Sequence, residues 1–276
     1  MNKQTKKSIA KVLKYFSIFG YRPTLDELYT FLPIKVDKNK LKYTPVEYSI
    51  RRKISQKKLN NWRFRVYIKL ISLFPQIKLV GLSGSISMMN AREDDDIDLF
   101  IITEKNRLFT GRLIVVALAQ ILGLRRTRNN LAMKQFNNGF ADKVCLNLFF
   151  DERNLKVPKF KQTLFVGHEV LQMKPIIVKG DIYERFLKAN RWVFRLFPNA
   201  REVVSSKYEV LSIRKNKKKT LNTYYLILNT LTNKIEQLLK KFQLNSINKH
   251  KTTEIITSSQ LWFHPDDFEK RLRLKR

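Results

Sequence analysis

Two short apolar runs, joined by a glycine-serine turn, constrain the fold of this chain more than any other part of it. The first run, residues 79–82, leads into Gly84 and Ser85; after ten intervening residues, the second run carries Asp96 and Asp98 at alternate positions. Apolar runs of this length bounded by turn residues are typical of strands. The sequence therefore predicts a strand, a turn that starts a helix, and a second strand whose charged end meets that turn.

The alternation of the second run determines where its two aspartates point. Successive side chains of a strand lie on opposite faces, so Asp96 and Asp98 share one face while Ile97 and Leu99 enter the core. Two neighbouring carboxylates repel each other unless a cation lies between them. Mg²⁺ suits this pattern, because it binds one or two carboxylates and fills its remaining positions with water and substrate phosphates. We therefore predict a magnesium site at Asp96 and Asp98.

Gly84 and Ser85 supply the second part of the predicted chemistry. Glycine lets the backbone approach a phosphate closely, and a serine at this point can add a hydroxyl while capping the short helix that follows. A phosphate-binding turn beside a pair of metal ligands indicates nucleotide chemistry.

The apolar strand, Gly84-Ser85 and Asp96-Ile97-Asp98-Leu99 together resemble the signature of the nucleotidyltransferases related to DNA polymerase beta. The resemblance covers roughly residues 77–151. It implies that Gly84 and Ser85 hold a triphosphate and that the two aspartates bind two Mg²⁺ ions, which support in-line transfer of a nucleotidyl group.

Two longer phrases, residues 90–103 and residues 168–175, resemble a group of uncharacterised bacterial nucleotidyltransferase-domain proteins. That group places a winged-helix-like segment before the catalytic domain. The second phrase contains His168, which is a secondary candidate for the site. It ranks below the aspartates because a single histidine in an apolar helix is usually structural.

A third carboxylate, which active members of the superfamily often place on a neighbouring strand, is missing from its expected position. The candidate strand is residues 143–151, and the expected position holds Asn147, an amide that can ligate a metal but cannot act as a general base. Period-two alternation puts Cys145, Asn147 and Asp151 on one face. Asp151 can substitute if the strand ends near the metals. Alternatively, two carboxylates suffice, or the site binds a nucleotide without turnover.

The charge of the chain indicates a polyanionic partner. Lys and Arg number 55 against 23 Asp and Glu, a formal net charge of +32, which favours nucleic acid or an anionic substrate. Lysine-rich composition can also reflect an AT-rich genome, so charge alone does not decide. The single cysteine, Cys145, is interpreted as a core thiol and fits a reducing cytoplasm. We predict no membrane span and no signal peptide.

The apolar pattern divides the chain into three parts. Residues 1–48 are predicted to form a helical, winged-helix-like unit, although no hairpin is visible in them and a simple helical cap on the catalytic domain is the alternative. Residues 49–160 are predicted to form the nucleotidyltransferase domain, led by one basic helix over 49–75 with Trp62 in the core. Residues 161–276 are predicted to be a helical extension. Further helices are predicted over 108–124, 164–173, 182–196 and 223–242, with basic segments at 125–130 and 214–219.

These inferences combine into one predicted architecture and two candidate functions. The fold class is α/β (α+β): a nucleotidyltransferase-type mixed sheet between helical N- and C-terminal parts. The first function is Mg²⁺-dependent transfer of a nucleoside monophosphate from an NTP to a hydroxyl-bearing acceptor. The second is a nucleic-acid-binding regulator whose nucleotidyltransferase domain senses nucleotides or is inert. The acceptor, the base preference and the oligomeric state are left open.

Overall fold

A computed structural model describes residues 2–44, 49–126, 141–204, 224–249 and 254–263. The helices are α1 (Lys3–Ser17), α2 (Leu25–Phe31), α3 (Ser49–Asn60), α4 (Trp62–Leu73), α5 (Gly84–Ser87), α6 (Leu108–Ile121), α7 (Leu164–Gln172), α8 (Ile182–Ala189), α9 (Val193–Leu196) and α10 (Tyr224–Asn248). The strands are β1 (Ile77–Leu82), β2 (Ile97–Thr103), β3 (Val144–Asp151), β4 (Lys174–Val178), β5 (Ile255–Ile256) and β6 (Gln260–Trp262). None of the described helices combines the length and apolar character that a membrane crossing requires.

The strands form one mixed sheet in the order β4-β1-β2-β3-β6-β5. Strands β2 and β3 are parallel, and every other neighbouring pair is antiparallel. The predicted α/β class with a mixed sheet is therefore confirmed. Sequence reasoning identified the three central strands but missed β4, β5 and β6, because all three are short and β4 begins with a Lys-Pro pair at the end of a helix.

Each face of the sheet is covered by a different group of helices. Ile97, Leu99 and Ile101 of β2 pack with residues of α4 and α6 on one face. Phe100 and Ile102, on the opposite face, pack with residues of α7, α8 and α9. Because Asp98 alternates with Leu99 and shares its face with Phe100, it lies on the side covered by α7. The predicted core helix over 108–124 is confirmed as α6.

A bulge in β3 overturns the simple alternation expected for residues 143–151. Asp98 pairs with Cys145, but Phe100 pairs with Leu148, so β3 has one extra residue between these two pairs. The strand therefore changes phase near Asn147. Phe149, which an unbroken alternation would place on the face of Cys145, instead packs in the core on the other side of the sheet.

The first unit is a helix pair that packs on the C-terminal helices. Across residues 2–44 the structure contains α1, α2 and a single 3₁₀ turn at Lys38–Lys40, and no strand. Their buried side chains form one cluster with Phe197 and Ala200. The carboxamide of Asn199 strengthens this contact, because it accepts from the Val36 amide and donates to the carbonyls of Tyr29 and Ile34. These contacts join the N-terminal helix pair to residues of the predicted helical extension 161–276.

The basic helix predicted over 49–75 is two helices, α3 and α4, and the prediction of one helix is wrong. Asn61 separates them, because its side chain accepts a hydrogen bond from the Arg63 amide at 2.9 Å and so caps the start of α4. Trp62 was expected in the core, but it is 65% exposed and carries the Arg63 guanidinium over its ring at 5.5 Å.

The helix predicted over 182–196 is also interrupted, at residues 190–192. The cause is Asn190, whose buried carboxamide accepts from Val157 N–H and Trp192 Nε1–H and donates to the carbonyls of Leu155 and Phe186. Such a fully satisfied amide fixes the local backbone away from helical geometry. The predicted basic segment at 214–219 and the last thirteen residues lie outside the described residues.

Glu236 of α10 caps the start of α6, and its removal is expected to destabilise the protein. Its buried carboxylate accepts from the amides of Phe109 and Thr110, at 2.8 and 2.9 Å. Substitution Glu236→Ala leaves both donors unpaired, so we expect a loss of about 1–3 kcal/mol in the free energy of unfolding. Urea denaturation measures it. Glu184→Ala, which removes only an exposed pair with Lys188, serves as the control and should change stability little.

Candidate active site

The turn after β1 is built directly against the second aspartate of β2. The Ser83 amide donates to the Asp98 carbonyl at 3.0 Å, which fixes the turn to the strand. Gly84 has a φ of +59°, and a Cβ atom at this position would collide with the Asp98 carboxylate. Both observations require glycine at position 84. The positive φ would strain the backbone of any other residue, and a side chain would have no space. The structure thus brings the predicted turn and the predicted metal ligand into one site.

Ser85 does not cap α5, contrary to the sequence prediction. The helix begins at Gly84, Ser83 is the N-cap residue, and its side chain makes no capping hydrogen bond. Ser85 instead donates its hydroxyl to the Asp95 carboxylate at 2.9 Å, and the same carboxylate oxygen accepts the Arg92 amide. Its side chain therefore joins the turn to the loop that precedes β2.

Asp96 and Asp98 lie together with Cys145 in a cluster that can hold a metal ion. One ligand atom from each of the three residues lies within 4.8 Å of the others. Cys145 is buried and faces Asp98 across the parallel pair β2 and β3. The thiol was interpreted as a core residue; the structure places it at the base of the site. Carboxylate oxygens suit Mg²⁺, whereas a thiolate would favour softer metals.

Among the described residues, the cation in direct contact with this cluster is the guanidinium of Arg126. Its Nη1 donates to Asp96 Oδ2 at 2.7 Å and to Cys145 Sγ at 3.4 Å. Arg126 belongs to the predicted basic segment 125–130, of which residues 127–130 lie outside the described residues. A positive charge is thus already located between two of the three clustered side chains.

Negative charge in the cluster is only partly compensated. Burial raises the pKa of Asp98 well above its ordinary value, and the charges of Asp96 and Glu169 raise it further. The opposing contributions, from a hydrogen bond with Cys145 and from Arg126, are smaller. A divalent cation would relieve this repulsion, which is the electrostatic environment that a metal site requires.

Glu169 is a site residue that the sequence reasoning missed. It lies on α7, and the Gly84 amide donates to its Oε2 at a long 3.4 Å. Burial raises the pKa of Glu169 to about 7, although the Gly84 hydrogen bond opposes the shift. The resemblance at residues 168–175 indicates this segment, but the candidate predicted from it is His168 and not Glu169.

His168 faces away from the site and is structural. Its imidazole is buried between the rings of Tyr15 and Phe31, with ring centroids 4.0 and 4.2 Å away. Phe16 and Phe197 contact it edge-on. Consecutive residues of a helix point about 100° apart, so the same segment directs His168 toward the N-terminal helices and Glu169 toward Asp98.

Asn147, at the expected position of the third carboxylate, and Asp151, its predicted substitute, lie in different places. Asn147 lies at the bulge of β3, where its amide donates to the Cys145 sulfur, and it lines the same cavity as the aspartates. Asp151 is not in the site. Its partner in the register is Thr103, five residues beyond Asp98, which places it about 17 Å along the sheet. Its fully buried carboxylate pairs with Arg153 and accepts the Asn106 amide, so its role is structural.

The loop that presents Asp96 is held in place by α3. Lys58 is 3% exposed, and its ammonium donates to the carbonyls of Glu93 and Asp95, both at 2.8 Å, and to the Asp142 carboxylate at 3.0 Å. In the same helix, the Ser55 hydroxyl accepts the Ala91 amide. Part of the basic helix therefore serves to position the site rather than to bind an external partner.

A cavity of about 600 Å³ opens at these residues. Its polar part is lined by the turn at residues 83–85, the acidic pair, and the side chains of Arg51, Arg92 and Arg126. The rest of the lining is largely apolar. The volume lies in the range of small-molecule sites, and the polar groups converge at one end, which is the usual form of an active site.

Comparisons were made with protein-family models, with characterised proteins and with solved structures. None of them matches this chain. Function is therefore inferred from the site itself.

Proposed function

We propose that this protein is a Mg²⁺-dependent nucleotidyltransferase that moves a nucleoside monophosphate from an NTP to a hydroxyl-bearing acceptor. The observation that supports this most directly is the packing of the Gly84 turn against the Asp98 carboxylate. A phosphate-binding turn and a metal ligand must lie this close together, because the metal must contact the same phosphates that the turn holds.

The donor set fits the metal. Asp96 and Asp98 would hold Mg²⁺. Burial is the main cause of the raised pKa of Asp98, and the negative charges of Asp96 and Glu169, which a divalent ion would offset, raise it further. When bound, the metal would offset the charge of the triphosphate and orient it. Arg126, in the loop after α6, would bind the same phosphates. To do so, its guanidinium would leave Asp96 and donate its hydrogen bonds to the phosphates instead.

The remaining residues of the site position the reacting groups. Gly84 gives the triphosphate access to the backbone, and Ser85 holds the turn through Asp95. In the transfer step, the acceptor oxygen bonds to the α-phosphorus, the bond from that phosphorus to the β-phosphate oxygen breaks, and pyrophosphate leaves. Glu169 is the group that takes the proton of the acceptor hydroxyl, because its carboxylate lines the cavity beside Gly84 and burial raises its pKa to about 7.

Calorimetric titration with each NTP, with and without Mg²⁺, tests this function. Wild type is expected to bind at least one NTP at least about tenfold more tightly with the metal. The double variant Asp96→Asn/Asp98→Asn should lose this metal dependence. Asp94→Asn is the matched control, because Asp94 is an exposed carboxylate of the same loop outside the cluster. A folded wild type that binds no NTP under any condition would overturn the proposal.

The nucleic-acid alternative stays a prediction from charge. In its favour, Trp62 and Arg63 stand exposed on α4. Against it, the ammonium group of Lys58 donates its hydrogen bonds within the protein, so it does not face a nucleic acid. We place the enzyme in the cytoplasm on the basis of its single, unpaired thiol.

A further inference from the structure

The apolar part of the cavity begins one step beyond the acidic pair on the same face of the sheet. Phe100 follows Asp98 by two positions of β2, about 7 Å along the strand. Leu148 pairs with Phe100 on one side and with Trp262 on the other, so the three side chains form a row across β2, β3 and β6. All three line the cavity. The floor of the cavity therefore changes from acidic to apolar over a short distance.

Aromatic rings form the far wall of this apolar part. Phe150 packs against Phe100 at 5.1 Å and against Trp262 at 5.3 Å, measured between ring centroids. Phe186 closes the wall from α8, 5.1 Å from Phe100. Helix α7 provides the opposite side through Val166 and Val170, together with its C-cap residue Met173. Glu169 lies on the same helix, so it stands where the apolar and polar parts meet.

The one polar atom of the aromatic wall, the indole nitrogen of Trp262, is already used. The indole N–H of Trp262 donates to Gln260 Oε1 at 3.1 Å, and Gln260 in turn donates to the carbonyls of Asn154 and Lys156. A nucleobase placed among these rings would leave several of its donors and acceptors unpaired, which is unfavourable. A ligand group with few polar atoms avoids this cost and buries apolar area. The chemistry of this end favours an apolar body.

We propose that the apolar part of this cavity binds the acceptor, and that the acceptor is a small alcohol with an apolar aliphatic or aromatic body. This inference rests on the proposed function and specifies its second substrate. The body lies between Phe100, Trp262 and Val170, and the hydroxyl points toward Asp98 and Glu169. Its oxygen forms the new bond to the α-phosphorus, its proton goes to Glu169, and pyrophosphate is the leaving group.

Binding of 1-octanol and 2-phenylethanol to the intact protein tests the cavity without any nucleotide. Trp262 lines the cavity, so its fluorescence reports binding, and Trp262→Phe shows which part of the signal is its own. Both alcohols are expected to bind at least about tenfold more tightly than glycerol. Val170→Phe fills the space and should weaken binding at least about tenfold. Val66→Phe, the same change on the outer side of α4, should leave binding unaltered.

Transfer from α-labelled NTP then tests the acceptor role. Formation of a labelled octyl or phenylethyl nucleotide in wild type, and its loss in Val170→Phe with NTP binding retained, would support the inference. NTP binding without measurable alcohol binding would overturn it while leaving the proposed function standing. Competition between octanol and NTP would assign the apolar part to the nucleobase and also overturn it. Alcohol binding by a protein that binds no NTP would refute the proposed function, and with it the acceptor role.

Discussion

Replacing Asp98 by asparagine is expected to abolish the proposed nucleotidyl transfer and, at the same time, to raise the thermal stability of the protein. The asparagine keeps the shape of the side chain but removes the charge that would hold the metal. We expect the rate to fall by on the order of 10³-fold or more, since transition-state charge is then left unneutralised. Steady-state assays with α-labelled NTP and a bound acceptor measure this loss.

The gain in stability follows from the direction of the pKa shift. Burial, Asp96 and Glu169 raise the pKa of Asp98 in the folded state, so folding favours the protonated form. Stability from this group is therefore present at low pH and is lost as the pH rises past the ordinary range of aspartate toward the folded pKa. At neutral pH, Asp98→Asn removes that cost, and we expect the melting temperature to rise by a few degrees. Calorimetry measures the melting temperature of Asp98→Asn, and Asp94→Asn, whose carboxylate is exposed, is the control.

A stable, active Asp98→Asn variant would argue against a metal role for Asp98. A variant that melts well below wild type would instead show that Asp98 is a structural carboxylate like Asp151, which is tied to Arg153. The two measurements therefore separate a catalytic group, which costs stability, from a structural group, which provides it.

The part of the site that the sequence predicted is the part built from neighbouring residues. The alternation of β2 places Asp96 and Asp98 on one face, and the positive φ of Gly84 is what a glycine at a tight turn allows. Such features depend on a few adjacent residues. They do not depend on how the rest of the chain packs.

The parts that could not be predicted depend on packing between distant segments. Glu169 enters the site because α7 covers the face of the sheet that bears Asp98, and no local pattern shows which turn of α7 faces inward. The bulge of β3 leaves no trace in the alternation of its residues, so the phase after Cys145 was wrong and Asp151 was placed on the site face. Asn61 ends one helix and starts another, although apolar spacing runs through it.

The positions of the charged side chains also depend on packing between distant segments. A net charge of +32 says nothing about which cations face inward. Lys58 supports the loop before β2, Arg51 donates to the Gly20 carbonyl and the Asn90 side chain, and Arg126 contacts Asp96. These three cations organise the site before any polyanion is considered, so the composition overstates the charge that is available to an external partner.

Replacing Glu169 by glutamine is expected to slow transfer by about 10²- to 10⁴-fold, the usual contribution of a positioned general base. Because its pKa is about 7, wild-type kcat/KM should rise with pH through about 7, and this limb should be absent from Glu169→Gln. Binding of Mg²⁺ and NTP should be retained, since Asp96 and Asp98 are unchanged. Glu184→Gln, on the exposed side of α8, is the control and should leave the profile intact.

Stability gives Glu169 a second and independent test. The group has a folded pKa of about 7 against an ordinary value of 4.5, so the fold favours its protonated form. Its contribution is fully present below about pH 4.5 and is lost as the pH rises to about 7. The melting temperature of Glu169→Gln should therefore exceed that of wild type by a margin that grows from pH 4.5 to about 7 and is then constant. A margin independent of pH would show that the carboxylate is not held in the environment described, and slow transfer with an unaltered pH limb would exclude it as the base.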